Sequence, residues 1–150
     1  MDKRHLVQEY TRQAEKREFG YKSSLPSTDR GLLAKILRPS DTVLDAGCGQ
    51  GALLETLGKL IAPRGTIIRI DLSIQMLLLA EKAARDTGCT FHLVRADVER
   101  LPLKHSSIDA SISSLSLHRM NPQKSLEEMY RALKPSRYMI VTLPYSHDED

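Results

Sequence analysis

The chain has 150 residues, 41% hydrophobic and 27% charged, enough for one domain with a substantial core and too few for two. A net charge of +3 spread along the chain gives no reason to expect stable nucleic-acid binding, and the longest unbroken apolar run, Met76 to Ala80, is far too short for a bilayer. No apolar leader opens the sequence, and Cys48 and Cys89 make neither a disulfide framework nor a metal site, so a reduced, cytoplasmic setting is expected.

Residues 4 to 18 read as a polar helix carrying Leu6, Val7, Tyr10 and Ala14 on one weak stripe, either docked on the core or closing over a site. Phe19-Gly20-Tyr21 breaks it, and Tyr10 and Tyr21 are candidate lid residues. Ser27 or Thr28 caps a second helix with Leu32, Leu33, Ile36 and Leu37 at helical spacing, and Arg38-Pro39-Ser40-Asp41 ends it. Residues 1–40 therefore form a helical cap, and residues 41–150 the main domain. From Thr42 strands and helices alternate. Strands are predicted at Thr42–Asp45, Thr66–Ile70, Thr90–Val94, Ile108–Leu115 and Tyr138–Leu143. Helices are predicted at 52–61, at Ile74–Thr87 behind a Ser73 cap and before Gly88, and from Asn121-Pro122 to about Leu133. Lys134-Pro135-Ser136 reads as the turn into the last strand. Helices of this length between strands give an α/β fold: a doubly wound, mainly parallel sheet of about five strands with helices on both faces. A ligand then sits beyond the carboxyl ends of the strands, where the strand order reverses.

The chain is organised around Val43 to Gly51, VLDAGCGQG. A short strand runs into three alternate glycines and then a helix start, which brings a ligand close to bare backbone. Asp45 ahead of the glycines repels phosphate but can hold an amino group. Asp71 ends the second strand 22 residues after Gly49, a distance at which a carboxylate can accept ribose hydroxyls. Asp97 after the third strand can accept from an exocyclic amine, with Leu72 and Val98 as apolar neighbours for a purine. Ser113 and Ser114 end the fourth strand on the same rim. Amino group, ribose and adenine are the parts of S-adenosylmethionine. Asp109, at the start of the fourth strand, faces the opposite rim and reads as structural, and Cys48 as a small residue in a crowded turn.

The stretches VLDAGCGQG, IIRIDLS, RADVERLPL, SIDASISSLSLHRM and EEMYRALKPSRYMIVTL resemble the successive motifs of class I S-adenosylmethionine-dependent methyltransferases, of the small-molecule type that includes the quinone-biosynthesis enzymes. The resemblance covers about residues 40 to 145. It implies that Asp45, Gly47 and Gly49 hold the amino-acid part of the cofactor, Asp71 the ribose, Asp97 and Val98 the adenine, and that Ser114 approaches the methionine part. Ala46, Cys48, Gly51, Leu72 and Met76 complete the expected cofactor-binding set. His118 is the candidate base and Arg119 a candidate partner for an anionic acceptor, with a solvated loop pair as the plainer reading of both. The amino-group methylase motif on nucleic acids is missing from the end of the fourth strand, where Ser113-Ser114-Leu115-Ser116 stands, and no Pro-Cys nucleophile occurs. A small or lipid-like acceptor remains. Members of the family usually add a helix and an antiparallel strand pair after the fifth strand. Here MIVTL is left as an edge, so a second copy of the chain or the N-terminal segment is expected to cover it. Two other classes fit part of the pattern. Gly47, Gly49 and Ala52 satisfy the dinucleotide fingerprint of a nicotinamide-dependent dehydrogenase, and a short methyltransferase-like module can bind a partner without catalysis.

Overall fold

The computed structural model describes residues 2–16, 27–83 and 88–144. Tyr21, the choice of cap between Ser27 and Thr28, and the last turn expected before Gly88 lie outside the described residues. Five strands form one wholly parallel sheet: β1 (Thr42–Ala46), β2 (Thr66–Asp71), β3 (Thr90–Arg95), β4 (Ile108–Ser114) and β5 (Leu133–Thr142). The helices are α1 (Lys3–Lys16), α2 (Ser27–Ile36), α3 (Leu54–Ile61), α4 (Ile74–Ala83) and α5 (Pro122–Ala132). The strand order is β3-β2-β1-β4-β5, so the chain winds outward from β1 in one direction and then jumps across it to β4. The crevice between the ends of β1 and β4 is the switch point.

Both faces of the central strands β1, β2 and β4 are buried, because side chains alternate along them between two apolar layers. On one face Val43, Ile67, Ala110 and Ile112 pack against Leu33 and Leu37 of the α2 segment and Leu54, Leu57 and Ile61 of α3. On the other, Leu44, Ala46, Ile70 and Ile108 pack against Met129 and Ala132 of α5 and the Val98–Leu101 stretch. Each turn has its local cause. Asn121 Oδ1 accepts from Lys124 N at 3.1 Å and Pro122 follows it, so α5 begins capped, with a proline where no amide donor is needed. Ser73 Oγ reaches Met76 N at 3.4 Å at the start of α4.

The structure moves two expected boundaries and one expected core position. Helix α3 starts at Leu54 rather than 52, because the glycine loop runs on through two turn bonds, Gly51 N to Cys48 O and Leu54 N to Gly51 O, both 3.1 Å. Leu32 is 48% exposed, so the inward face of α2 is made by Leu33 with Leu37 beyond its end. Strand β5 begins at Leu133, directly after α5, and takes in the expected Lys134-Pro135-Ser136 turn as a bulge. Ile108 pairs with Leu133 and Ala110 with Tyr138, so β5 spends more residues than β4 over the same stretch, with Ser136 at φ 60°. Below this bulge, on the rim away from the glycines, Arg137 Nη2 meets Asp41 Oδ1 at 2.6 Å, and Asp109 accepts from Thr42 N and Lys134 Nζ, each at 2.9 Å. Asp109 thus has the structural place expected of it. Among the described residues β5 is an edge of the sheet, and α1 packs on α4 rather than along β5.

Candidate functional site

The glycine loop after β1 folds because two of its amides share one acceptor: Gly47 N and Cys48 N donate to Ile70 O at 2.8 and 3.0 Å. Gly47 sits at φ +70°, and a Cβ there would stand 2.6 Å from Ser116 Oγ. Ser116 holds that place by bonding Ala46 O at 3.0 Å and Ser113 Oγ at 2.8 Å. The loop is therefore pinned to β2 on one side and to the end of β4 on the other.

A cavity of about 770 Å³ opens along this rim, within the range that small-molecule sites occupy. Asp45, Gly47, Cys48, Gly49, Asp71, Leu72, Met76, Asp97, Val98, Ser114, His118 and Arg119 all line it. Ala46 and Gly51 do not. Ala46 lies wholly in the core and contributes its carbonyl to Ser116, while Gly51 backs onto Arg69. Lys3, Leu6, Val7, Tyr10 and Gln13 of α1 also line the cavity, together with Ser116, Met120, Leu143 and Pro144. Tyr10 is at the site as expected. Its hydroxyl is pushed up by burial, with the Arg119 charge opposing. The other α1 residues were not anticipated as site residues.

The three acids differ in setting. Asp45 is 2% exposed, and Arg69 Nε meets its Oδ2 at 3.4 Å. Burial raises its carboxyl above the usual range, and Arg69 opposes that rise. Asp71 accepts from Gly49 N on Oδ2 and from Ser73 N on Oδ1, both at 2.9 Å, so both oxygens are aimed by backbone while keeping further lone pairs. Burial raises it too, and those amides pull it back. Asp97 accepts from Glu99 N at 3.0 Å and from Lys3 Nζ, which also pairs with Glu99. Cys48, buried in the loop, is held far above the ordinary thiol range by burial, which fits a packed turn residue. His118 and Arg119 stand on a 3₁₀ turn after β4. Arg119 Nε donates to His118 Nε2 at 3.1 Å, and burial followed by the Arg119 charge lowers the imidazole below its ordinary value.

This donor and acceptor set fits S-adenosylmethionine. Carboxylates stand in order for an ammonium, a pair of ribose hydroxyls and an exocyclic amine, with Leu72, Met76 and Val98 as apolar surface between them.

The methyltransferase-domain family model matches residues 43–136. Malonyl-[acyl-carrier protein] O-methyltransferase of Marinomonas sp. (strain MWYL1) is 39% identical over 113 residues, covering 74% of this chain and 41% of that protein. A ubiquinone/menaquinone biosynthesis C-methyltransferase of Vibrio cholerae is 31% identical over 107 residues, covering 69% of this chain and 41% of its own length. The crystal structure of a SAM-dependent methyltransferase from Aquifex aeolicus superposes with a TM-score of 0.72 at 26% identity, over 85% of this chain and 70% of that one. The chain thus spans 41% of the length of each of these two curated relatives. With a domain model that matches 43–136 on this five-stranded sheet, the chain belongs to the methyltransferase-domain family.

Proposed function

We propose that this domain carries methyl transfer from S-adenosylmethionine to a small or lipid-like acceptor, with the cofactor held along the rim of Asp45, Asp71 and Asp97. The observation that carries the reading is the convergence of these acids, from three successive strand ends, with a glycine loop on one cavity of about 770 Å³. Asp45 and the Gly47–Gly49 backbone take the amino-acid end, Asp71 the ribose hydroxyls, and Asp97 with Val98 the adenine. Ser114 lies toward the methionine part. Once bound, the cofactor supplies an electrophilic sulfonium methyl group. The protein's share is to aim the acceptor and exclude water. Tyr10, Met120 and Leu143 offer apolar surface at the mouth, suited to an apolar acceptor. Arg119 is the cation available to an anionic acceptor. His118, its imidazole held below the ordinary value by burial and the Arg119 charge, can take a proton once Arg119 turns away from Nε2.

The named relatives, one an O-methyltransferase of malonyl-acyl carrier protein and the other a C-methyltransferase of quinone biosynthesis, support an acceptor of this class. The family match favours this reading over the dehydrogenase and the partner module. Of the N-terminal segment, helix α1 acts as the cap of the site, the β5 edge pairs with a second copy, and the domain works in the cytoplasm. No helix among the described residues is long and apolar enough to cross a membrane. Titration calorimetry tests the site directly. S-adenosylhomocysteine is expected to bind and NADH to give no heat. Asp71→Ala is expected to weaken binding by about 1–3 kcal/mol, because it leaves ribose donors unpaired; unchanged affinity would remove Asp71 from the site. Incubation with methyl-labelled cofactor and a panel of acyl, quinone and phenolic acceptors then identifies the acceptor.

A further inference from the structure

Arg69 is the largest fully buried side chain among the described residues, and nothing in the proposed site uses it. It stands on β2 in direct register with Asp45 on β1. An arginine in the middle of a doubly covered parallel strand is costly, since its charge must be desolvated there. Its guanidinium makes two long contacts and leaves one nitrogen over. Nε faces Asp45 Oδ2 at 3.4 Å, Nη1 faces Ala80 O at 3.4 Å, and Nη2 has no hydrogen-bond partner among the described residues. The group lies directly beneath the glycine loop, for a Cβ on Gly51 would stand 2.6 Å from Nη2 and 2.8 Å from Nη1.

A pairing this long and incompletely bonded is a weak source of stability. It does act on Asp45, favouring the carboxylate. Asp45 lines the cavity yet is 2% exposed, and a lone carboxyl so placed would take up a proton and lose its attraction for an ammonium. Two charged groups act on it, both from β2: Arg69, which favours the carboxylate, and Asp71, which disfavours it. The adjacent Cys48 thiol stays protonated and adds no charge.

We propose that Arg69 is a positioning residue for the cofactor: acting through Asp45, it keeps that buried acid a carboxylate turned toward the amino group of S-adenosylmethionine. The proposal rests on the reading that Asp45 receives that amino group. Arg69 does not line the cavity and touches the cofactor only through Asp45 and the loop.

The test compares two ligands across pH. S-adenosylhomocysteine carries the amino-acid end; 5′-methylthioadenosine keeps adenine and ribose but lacks it. In Arg69→Met the acid limb of S-adenosylhomocysteine binding is expected to move up by about one pH unit or more, a tenfold loss at a fixed acidic pH, while methylthioadenosine affinity stays within about twofold of wild type. Arg69→Lys, which keeps the charge, should return the limb toward the wild-type position. Equal loss of both ligands at every pH would mean that Arg69 only supports the loop, and an unmoved acid limb would mean that it does not act on Asp45; either result overturns the proposal. If Arg69→Met does not melt cooperatively, Arg69→Gln and Arg69→Lys decide by the same readings, the first moving the limb and the second keeping it. Asp45→Asn in the otherwise native chain separates the two claims. If it leaves S-adenosylhomocysteine affinity unchanged, the placement of the amino group fails, and the role of Arg69 fails with it.

Discussion

At Asp97 the ammonium of Lys3 stands where the adenine amine of the cofactor is proposed to donate. Lys3 is 44% exposed, so its pairs with Asp97 and Glu99 are screened by salt and weak. Lys3→Met is expected to tighten S-adenosylhomocysteine binding about threefold at low salt, with the difference closing as salt is raised. Identical calorimetric affinities at low salt would show that lysine and adenine share the acid without competing. Gly51 poses the opposite case, a residue with no room to change. It adopts φ +99° with Arg69 packed against it, so Gly51→Ala is expected to destabilise by about 1–3 kcal/mol through overpacking in a thermal melt, more than Gly49→Ala, which meets open space. Of the cavity lining, the sequence made Asp45, Asp71 and Asp97 legible because each lies at or just past the carboxyl end of a strand. Lys3 was not legible, since its partner lies 94 residues away and no local pattern announces the contact. Arg69 was not singled out in the sequence, where it stands within a β-branched strand, and only the register shows that it faces Asp45.

Among the elements, α3 and β5 carry the clearest consequences. Leu57 is fully buried between α3 and the sheet, so Leu57→Ala is expected to cost about 2–5 kcal/mol in denaturant unfolding, the loss of transfer energy plus a cavity. The bulge of β5 is tied to the lower rim by Asp109. Burial works to raise that carboxyl, but the Thr42 amide and Lys134 outweigh it and hold it below its ordinary value. Because the folded value is the lower one, the contribution is complete above the unfolded value, near pH 4, and is lost as pH falls through the folded one. Asp109→Asn should therefore flatten the fall of stability below about pH 4. An unaltered acid-unfolding curve would assign that fall to other carboxylates. The order and type of the elements could be read from periodicity and capping residues. Their boundaries could not where tertiary contacts decide them: the Lys134-Pro135-Ser136 segment has turn composition, yet sheet pairing on both sides of it makes it a bulge.

For the whole molecule, the order β3-β2-β1-β4-β5 leaves β5 as an edge whose Met139, Ile140 and Val141 are half-buried. Self-association through it is expected in sedimentation; a monomeric parent chain would sink this expectation. Helix α1 closes the opposite part of the molecule, lining the cavity and joined to α4 by Thr11 Oγ1 and Gln75 Oε1 at 3.2 Å. The central place of β1 also bears on synthesis. Its partner on one side, β2, follows within a short span, but its partner on the other, β4, ends only at Ser114. While the chain emerges from the ribosome, Val43 to Asp45 must present an open hydrogen-bonding edge until that distant strand arrives. Nascent chains halted after β3 should then adhere to chaperones and bind apolar dyes, and those that include β4 should not.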